Sequence, residues 1–210
     1  MTVEAPARVE LHRPLPAEEQ GRADFYALLG RLVQAAPDQR LLAAIAAADA
    51  IPPEGDAALA KAWADLGAAS SVMDPEAVRD EFALLFEGVG SAQVSVYSGF
   101  YVGAPAVAHP RVRIQNDVAA LGLAQLDGVT EPEDHWAALF EVMRVLVAGG
   151  AGRSPAPLAE QRRFFQSHVE PGAAKFFRDL QAAHNANYYR QVAAVGLAVV
   201  ALETESFRLD

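Results

Sequence analysis

Residues 128–147 read GVTEPEDHWAALFEVMRVLV, and this run decides the fold class. Trp136, Leu139, Phe140, Met143 and Val147 return at the three- and four-residue steps that lay one face of an α-helix on a core. The spacing predicts a helix from about Glu131 to Ala148. Thr130 and Glu133 stand three apart ahead of the apolar run, a capping-box spacing. Glu131, Glu133 and Asp134, placed in a first turn, complement the positive end of the helix dipole. Capping accounts for most of the segment but has no need of Pro132 or His135. The cluster Glu131, Asp134 and His135 is therefore a candidate for binding a basic group from a partner.

Outward from this helix the same period recurs. Downstream, Gly149–Pro157 (GGAGRSPAP) has the composition of a linker and is expected to be mobile. Beyond it, helices are predicted over Leu158–His168, over Pro171–Ala183 with Phe176, Phe177 and Leu180, and over about Asn187–Glu203. The pairs Phe164-Phe165, Phe176-Phe177 and Tyr188-Tyr189 fall once per helix and read as core. Upstream, Val112–Leu123 is helical in spacing, and Glu18–Val33 puts Phe25, Leu28, Leu29 and Leu32 on one face before stopping short of Pro37. Asp38 is expected to cap a helix reaching about Ala50, and Asp56–Ala69 carries Leu59, Trp63 and Leu66. Asp74-Pro75 supplies a cap and a first-turn proline to a stripe of Val78, Phe82 and Leu85 that ends before Gly88. Alanine, the best helix former, makes up about a fifth of the chain, and strand patterns are nearly absent. The expected fold is all-α, a single helical-bundle domain of about eight to ten helices over residues 16–210. It follows a flexible segment 1–15 and divides into lobes at about 16–127 and 128–210.

One stretch breaks the period. Gly88–Pro110 is punctuated by glycine and proline, yet carries Val94, Val96, Tyr97, Phe100 and Tyr101. A structured connection is expected there, because long non-periodic segments inside a compact domain are ordered by packing or by function. Its aromatics read either as core or as the apolar wall of a peptide groove, where irregular backbone offers unpaired polar groups to a partner's main chain.

The composition excludes several classes. The 210 residues are 52% hydrophobic and contain no cysteine, so disulfides, thiolate metal sites and a cysteine nucleophile are ruled out. Seventeen basic residues against 27 acidic ones leave a net charge of −10, which disfavours nucleic acid and suits a cationic peptide. No secretory or twin-arginine export signal is visible near the start, and Val192–Leu202 is about half the length needed to span a bilayer. A cytoplasmic protein without a membrane segment is expected. No phosphate-binding, dinucleotide-binding, zinc-protease or serine-hydrolase motif appears, and no two of the five histidines are spaced to share a helical face. Neither an enzyme nor a bound metal or cofactor is expected.

Taken in order, these runs resemble the TorD/DmsD family of molybdoenzyme maturation chaperones over roughly Asp80–Glu205. The family's Leu-Phe, Gly and aromatic-x-Ser-x-Tyr elements resemble Leu85-Phe86, Gly88 and Tyr97-Ser98-Gly99-Phe100-Tyr101, with Ser98 shifted by one. Its Glu-Pro-x-Asp-His motif is matched by Glu131, Pro132, Asp134 and His135, and its Phe-Phe-x-x-His-x-x-Pro run by Phe164, Phe165, His168 and Pro171. Departures fall at Ser95 and Val96, where prolines are usual, at Gly99 in the place of the loop serine, and at Gly172, where tryptophan is common. The second half most resembles the branch associated with formate dehydrogenases. The resemblance implies a chaperone that binds the twin-arginine leader, or the apo-form, of a molybdenum-cofactor oxidoreductase until cofactor insertion is complete. It implies a peptide site built from Phe86, Tyr97, Ser98, Phe100, Tyr101, Glu131, Pro132, Asp134 and His135, in a monomer or a homodimer that exchanges helices. The rival readings are a hydrolase or nucleotide-dependent enzyme using Asp134 and His135, and a helical scaffold without a groove. The chaperone reading requires the acid–imidazole cluster to lie against the 88–110 connection.

Overall fold

The computed structural model describes residues 14–88, 92–103, 109–123, 132–150 and 152–209. The expected flexible start (residues 1–13), Glu131, Thr130 of the expected capping box and the expected lobe boundary at 127/128 lie outside the described residues. Among the described residues the chain forms nine α-helices and no strand, only isolated bridges.

Local chemistry starts several of these helices. Helices α1 (Ala17–Gln34), α2 (Gln39–Ala46), α3 (Ala57–Val72) and α4 (Pro75–Phe82) come first. The Asp38, Asp56 and Asp74 carboxylates accept from the backbone N–H of Leu41, Leu59 and Ala77 at 2.8, 2.7 and 3.2 Å, satisfying groups that a helix start otherwise leaves without partners. Helix α2 ends about four residues earlier than its pattern suggests, ahead of the Ile51-Pro52-Pro53 run that cannot continue it. Helices α5 (Pro110–Ala120), α6 (Trp136–Ala148), α7 (Leu158–Phe164), α8 (Glu170–Ala182) and α9 (Tyr188–Leu209) follow.

Two π turns, Ala83–Glu87 after α4 and Phe165–Val169 between α7 and α8, interrupt the α pattern. The second corrects the expectation of separate helices ending at His168 and restarting at Pro171. The helical path runs on without a break, and Glu170 N–H bonds back to Phe165 C=O across the wider turn. A proline just past such a turn sits where its missing N–H is tolerated.

Helix α6 lies along α1, and α9 along α3 and α8. At the centre Trp136 stacks on Phe140 and Phe176, at 5.9 and 5.4 Å between ring centroids, and Phe140 stacks on Phe177 at 5.9 Å. All four are fully buried, each contributing roughly 1.5–3 kcal/mol or more. The three aromatic pairs of the C-terminal half are likewise buried, as core. Helix packing is close enough to demand glycine at two points. A Cβ on Gly196 of α9 would meet Phe177 Cε1 at 2.3 Å, and one on Gly172 would meet Tyr101 Cβ at 2.9 Å and Trp136 at 3.2 Å. The larger residue expected from the family at position 172 therefore has no room.

Buried polar groups join the helices. Arg22 of α1 forms a two-point ion pair with Glu203 of α9 at 2.7 and 2.9 Å, and the Tyr26 hydroxyl donates to the same carboxylate at 2.8 Å. Burial, reinforced by Glu203, pushes the Tyr26 phenol well above its ordinary range. Glu81 of α4 reaches across to the start of α9 and accepts from the N–H groups of Asn187, Tyr188 and Tyr189 at 2.9, 3.1 and 2.7 Å. The turn after α6 is hydrogen-bonded in both directions between Gly150 and Arg153, and Ala156 N–H returns to Leu146 C=O at 2.8 Å. No described helix is long and apolar enough to cross a membrane.

Candidate functional site

The non-periodic connection and the start of α6 are joined through their backbones. Residues 92–103 run as an irregular segment with a single 3-10 turn at Ser98–Phe100. Tyr97 and His135 form an antiparallel bridge. Trp136 N–H donates to Val96 C=O at 2.9 Å, and Ser98 N–H to Asp134 C=O at 2.7 Å. Asp134 and His135 of the acid–imidazole motif are thus packed against the aromatic connection.

This pairing moves the start of α6. The helix begins at Trp136 rather than near Glu131, and Glu133 and Asp134 lie in the turn before it. His135 is the cap: its Nδ1 accepts from Ala137 N–H at 3.1 Å. The expected capping role of Glu133 is replaced by a different one, for its carboxylate takes Arg111 Nε and Gln115 Nε2 of α5, each at 2.8 Å. The Gln115 hydrogen bond, helped by the Arg111 guanidinium, holds the Glu133 carboxyl below the usual carboxylate range. Helix α5 is held from a second side by Asp117, 2.7 Å from Nε2 of His168.

The predicted residues divide by exposure. Tyr97 and Phe100 stand out at 42% and 70% exposed, whereas Phe86, Ser98, Tyr101, Asp134 and His135 are buried. Pro132 is half-buried. The His135 ring meets the Tyr97 ring edge-on at 5.7 Å between centroids. A Cβ on Gly99 would lie 3.3 Å from Asp134 Oδ2, so the glycine rests on that carboxylate where a larger residue would crowd it. Asp134 and His135 therefore hold the local fold as well as lying beside the site. Phe86 reaches it from the π turn, packed edge-on against Tyr189 at 5.3 Å.

A groove of about 200 Å³ is walled by Phe86, Val94, Val96, Tyr97, Phe100 and Tyr101, whereas Ser98, Pro132, Asp134 and His135 do not line it. Its other lining includes Gln93 and, from α8, Asp179, a residue the sequence analysis did not single out. The Tyr101 hydroxyl donates to Ser95 C=O at 2.8 Å and fixes the groove floor. Burial, and then the Asp179 charge, raise the Tyr101 phenol above its ordinary range. Its size and mostly apolar walls suit apolar side chains of a partner. Among the described residues no group of three His, Asp or Glu side chains is placed to hold a metal.

A family model described as the nitrate reductase delta subunit matches residues 52–178, from just before α3 into α8, and so covers the groove walls and Glu131–His135. The chain belongs to the nitrate reductase delta subunit family. This is the TorD-like group, so the chain is a redox enzyme maturation chaperone and not a catalyst. A crystal structure from Archaeoglobus fulgidus, described as a candidate redox enzyme maturation protein, is 15% identical with a TM-score of 0.50. The match covers 90% of this chain and 97% of that one, and shows the shared helical fold. No curated protein sequence matches the chain.

Proposed function

We propose that the groove binds an unfolded, apolar and cationic segment of a molybdenum-cofactor oxidoreductase, either its twin-arginine leader or its apo-form. The chaperone holds that segment in the cytoplasm until cofactor insertion is complete, and a formate dehydrogenase is the favoured client. Phe86, Tyr97, Ser98, Phe100 and Tyr101 form or back the apolar wall, with Pro132, Asp134 and His135 as its frame. Glu131 is assigned to client binding from the sequence motif alone.

One observation carries this reading. Tyr97 and Phe100 are large aromatics held in water at 42% and 70% exposure, on backbone that is pinned to the start of α6. Aromatics fixed outside the core at the rim of a groove are what an interaction surface presents. Isothermal titration calorimetry of the full chain with a leader peptide tests the reading. Tyr97→Ala and Phe100→Ala are each expected to weaken binding by about five- to thirtyfold, or roughly 1–2 kcal/mol. Being surface changes, they should leave the melting temperature nearly unmoved. Full affinity in both variants contradicts the proposal.

A further inference from the structure

Among the described residues lining the groove, Asp179 is the one charged side chain. The acids of the sequence motif are placed otherwise: Asp134 is 7% exposed beneath Gly99, and Glu133 is held by α5. The Asp179 carboxylate lies 2.6 Å from Lys175 Nζ, one helical turn earlier on α8. That same ammonium stands over the Tyr101 ring, 5.3 Å from its centroid. The free protein thus already holds a cation between a carboxylate and an aromatic face at one end of the groove.

The resident pair is exchangeable. The Lys175 and Asp179 side chains are 54% and 40% exposed, and an exposed i,i+4 ion pair adds little to stability. Arginine suits the place better than lysine, because its planar fork meets a carboxylate at two points and stacks on a ring. The net charge of −10 draws such a segment in from a distance.

We propose that Asp179 reads positive charge on the bound segment, and that Lys175 fills this position in the free chaperone until an arginine of the segment displaces it. The inference rests on the groove being the client site and names how that site selects its ligand.

The test is calorimetry on the full chain with two synthetic peptides. One carries two adjacent arginines ahead of an apolar run, and the other has glutamine in their place. The wild type is expected to prefer the arginine peptide, and to lose that preference as salt rises. Asp179→Asn is expected to weaken the arginine peptide by about three- to tenfold and leave the glutamine peptide unchanged. Lys175→Met, which removes the internal competitor, is expected to strengthen the arginine peptide alone by about two- to threefold. If the wild type prefers arginine but Asp179→Asn does not alter that preference, charge is read elsewhere and the inference falls while the groove stands. Equal binding of both peptides by the wild type, or weaker arginine binding in Lys175→Met, also overturns it. Binding of neither peptide removes the groove reading itself. Salt dependence of the wild-type preference needs no variant and remains a readout if a substituted chain melts early.

Discussion

Glu81→Gln isolates the contact that ties the groove wall to the rest of the bundle. Glu81 is 6% exposed, and its two oxygens satisfy three backbone N–H groups at the first turn of α9, two on Oε1 and one on Oε2. These are groups with no partner inside the helix, at its positive end, where a carboxylate is favoured. Glutamine keeps one acceptor and turns an N–H₂ donor toward at least one backbone N–H. Hydrogen bonds to a charged group contribute about 1.5–3 kcal/mol each, so losing the charge and mismatching one donor costs about 2–4 kcal/mol. For a domain of this size that lowers the melting temperature by roughly 5–15 °C. Phe82 and Phe86 pack on Tyr189, the last residue Glu81 caps, so the groove wall should loosen with it and leader affinity should fall. The assay is thermal melting by circular dichroism, with Asp80→Asn, an exposed neighbour, as control. A fall of less than about 2 °C in Glu81→Gln, or an equal fall in the control, refutes the clamp.

Two further substitutions probe the frame. Gly196→Ala pushes a methyl into Phe177 at 2.3 Å and is expected to cost about 1–3 kcal/mol or more, read as a lower denaturant midpoint; an unchanged midpoint contradicts the close α8–α9 approach. His168, buried beside Asp117, has its pKa lowered from 6.5, with burial outweighing the carboxylate. The unfolded chain thus takes up this proton at a higher pH than the folded one. The resulting stabilisation is complete above about 6.5 and is lost as pH falls through the window beneath it. His168→Gln should flatten the melting temperature over that window relative to wild type, and parallel profiles contradict the assignment.

The helical fold was legible because its stripes are long: the Trp136–Val147 and Tyr188–Leu202 patterns persist over several turns, and Asp38, Asp56 and Asp74 announce their helices locally. The π turns were not, since one extra residue per turn leaves a run such as Phe164-Phe165 apolar whether or not the helix continues. The start of α6 was misplaced because Pro132, Glu133 and Asp134 have helix-start chemistry, while pairing with Val96 and Ser98 delays the helix to Trp136. Contacts across the chain were out of reach. Glu81 and Tyr189 are 108 residues apart, and Asp179 reads as the polar face of α8 until Tyr101 is placed against it. Within the site motif, adjacency of the two runs was predicted; that Asp134 and His135 are buried and His135 is the cap emerged only with the backbone bridge.

The central claim is that an unfolded client segment lies in the groove beside Tyr97 and Phe100. Amide hydrogen exchange of the chaperone with and without a leader peptide tests it most directly. Slowed exchange is predicted over 92–101 and 134–137 and in the π turn around Phe86, with the separate groove between α8 and α9, lined by Leu197 and Arg208, unchanged. Protection confined to that α8–α9 groove contradicts the account.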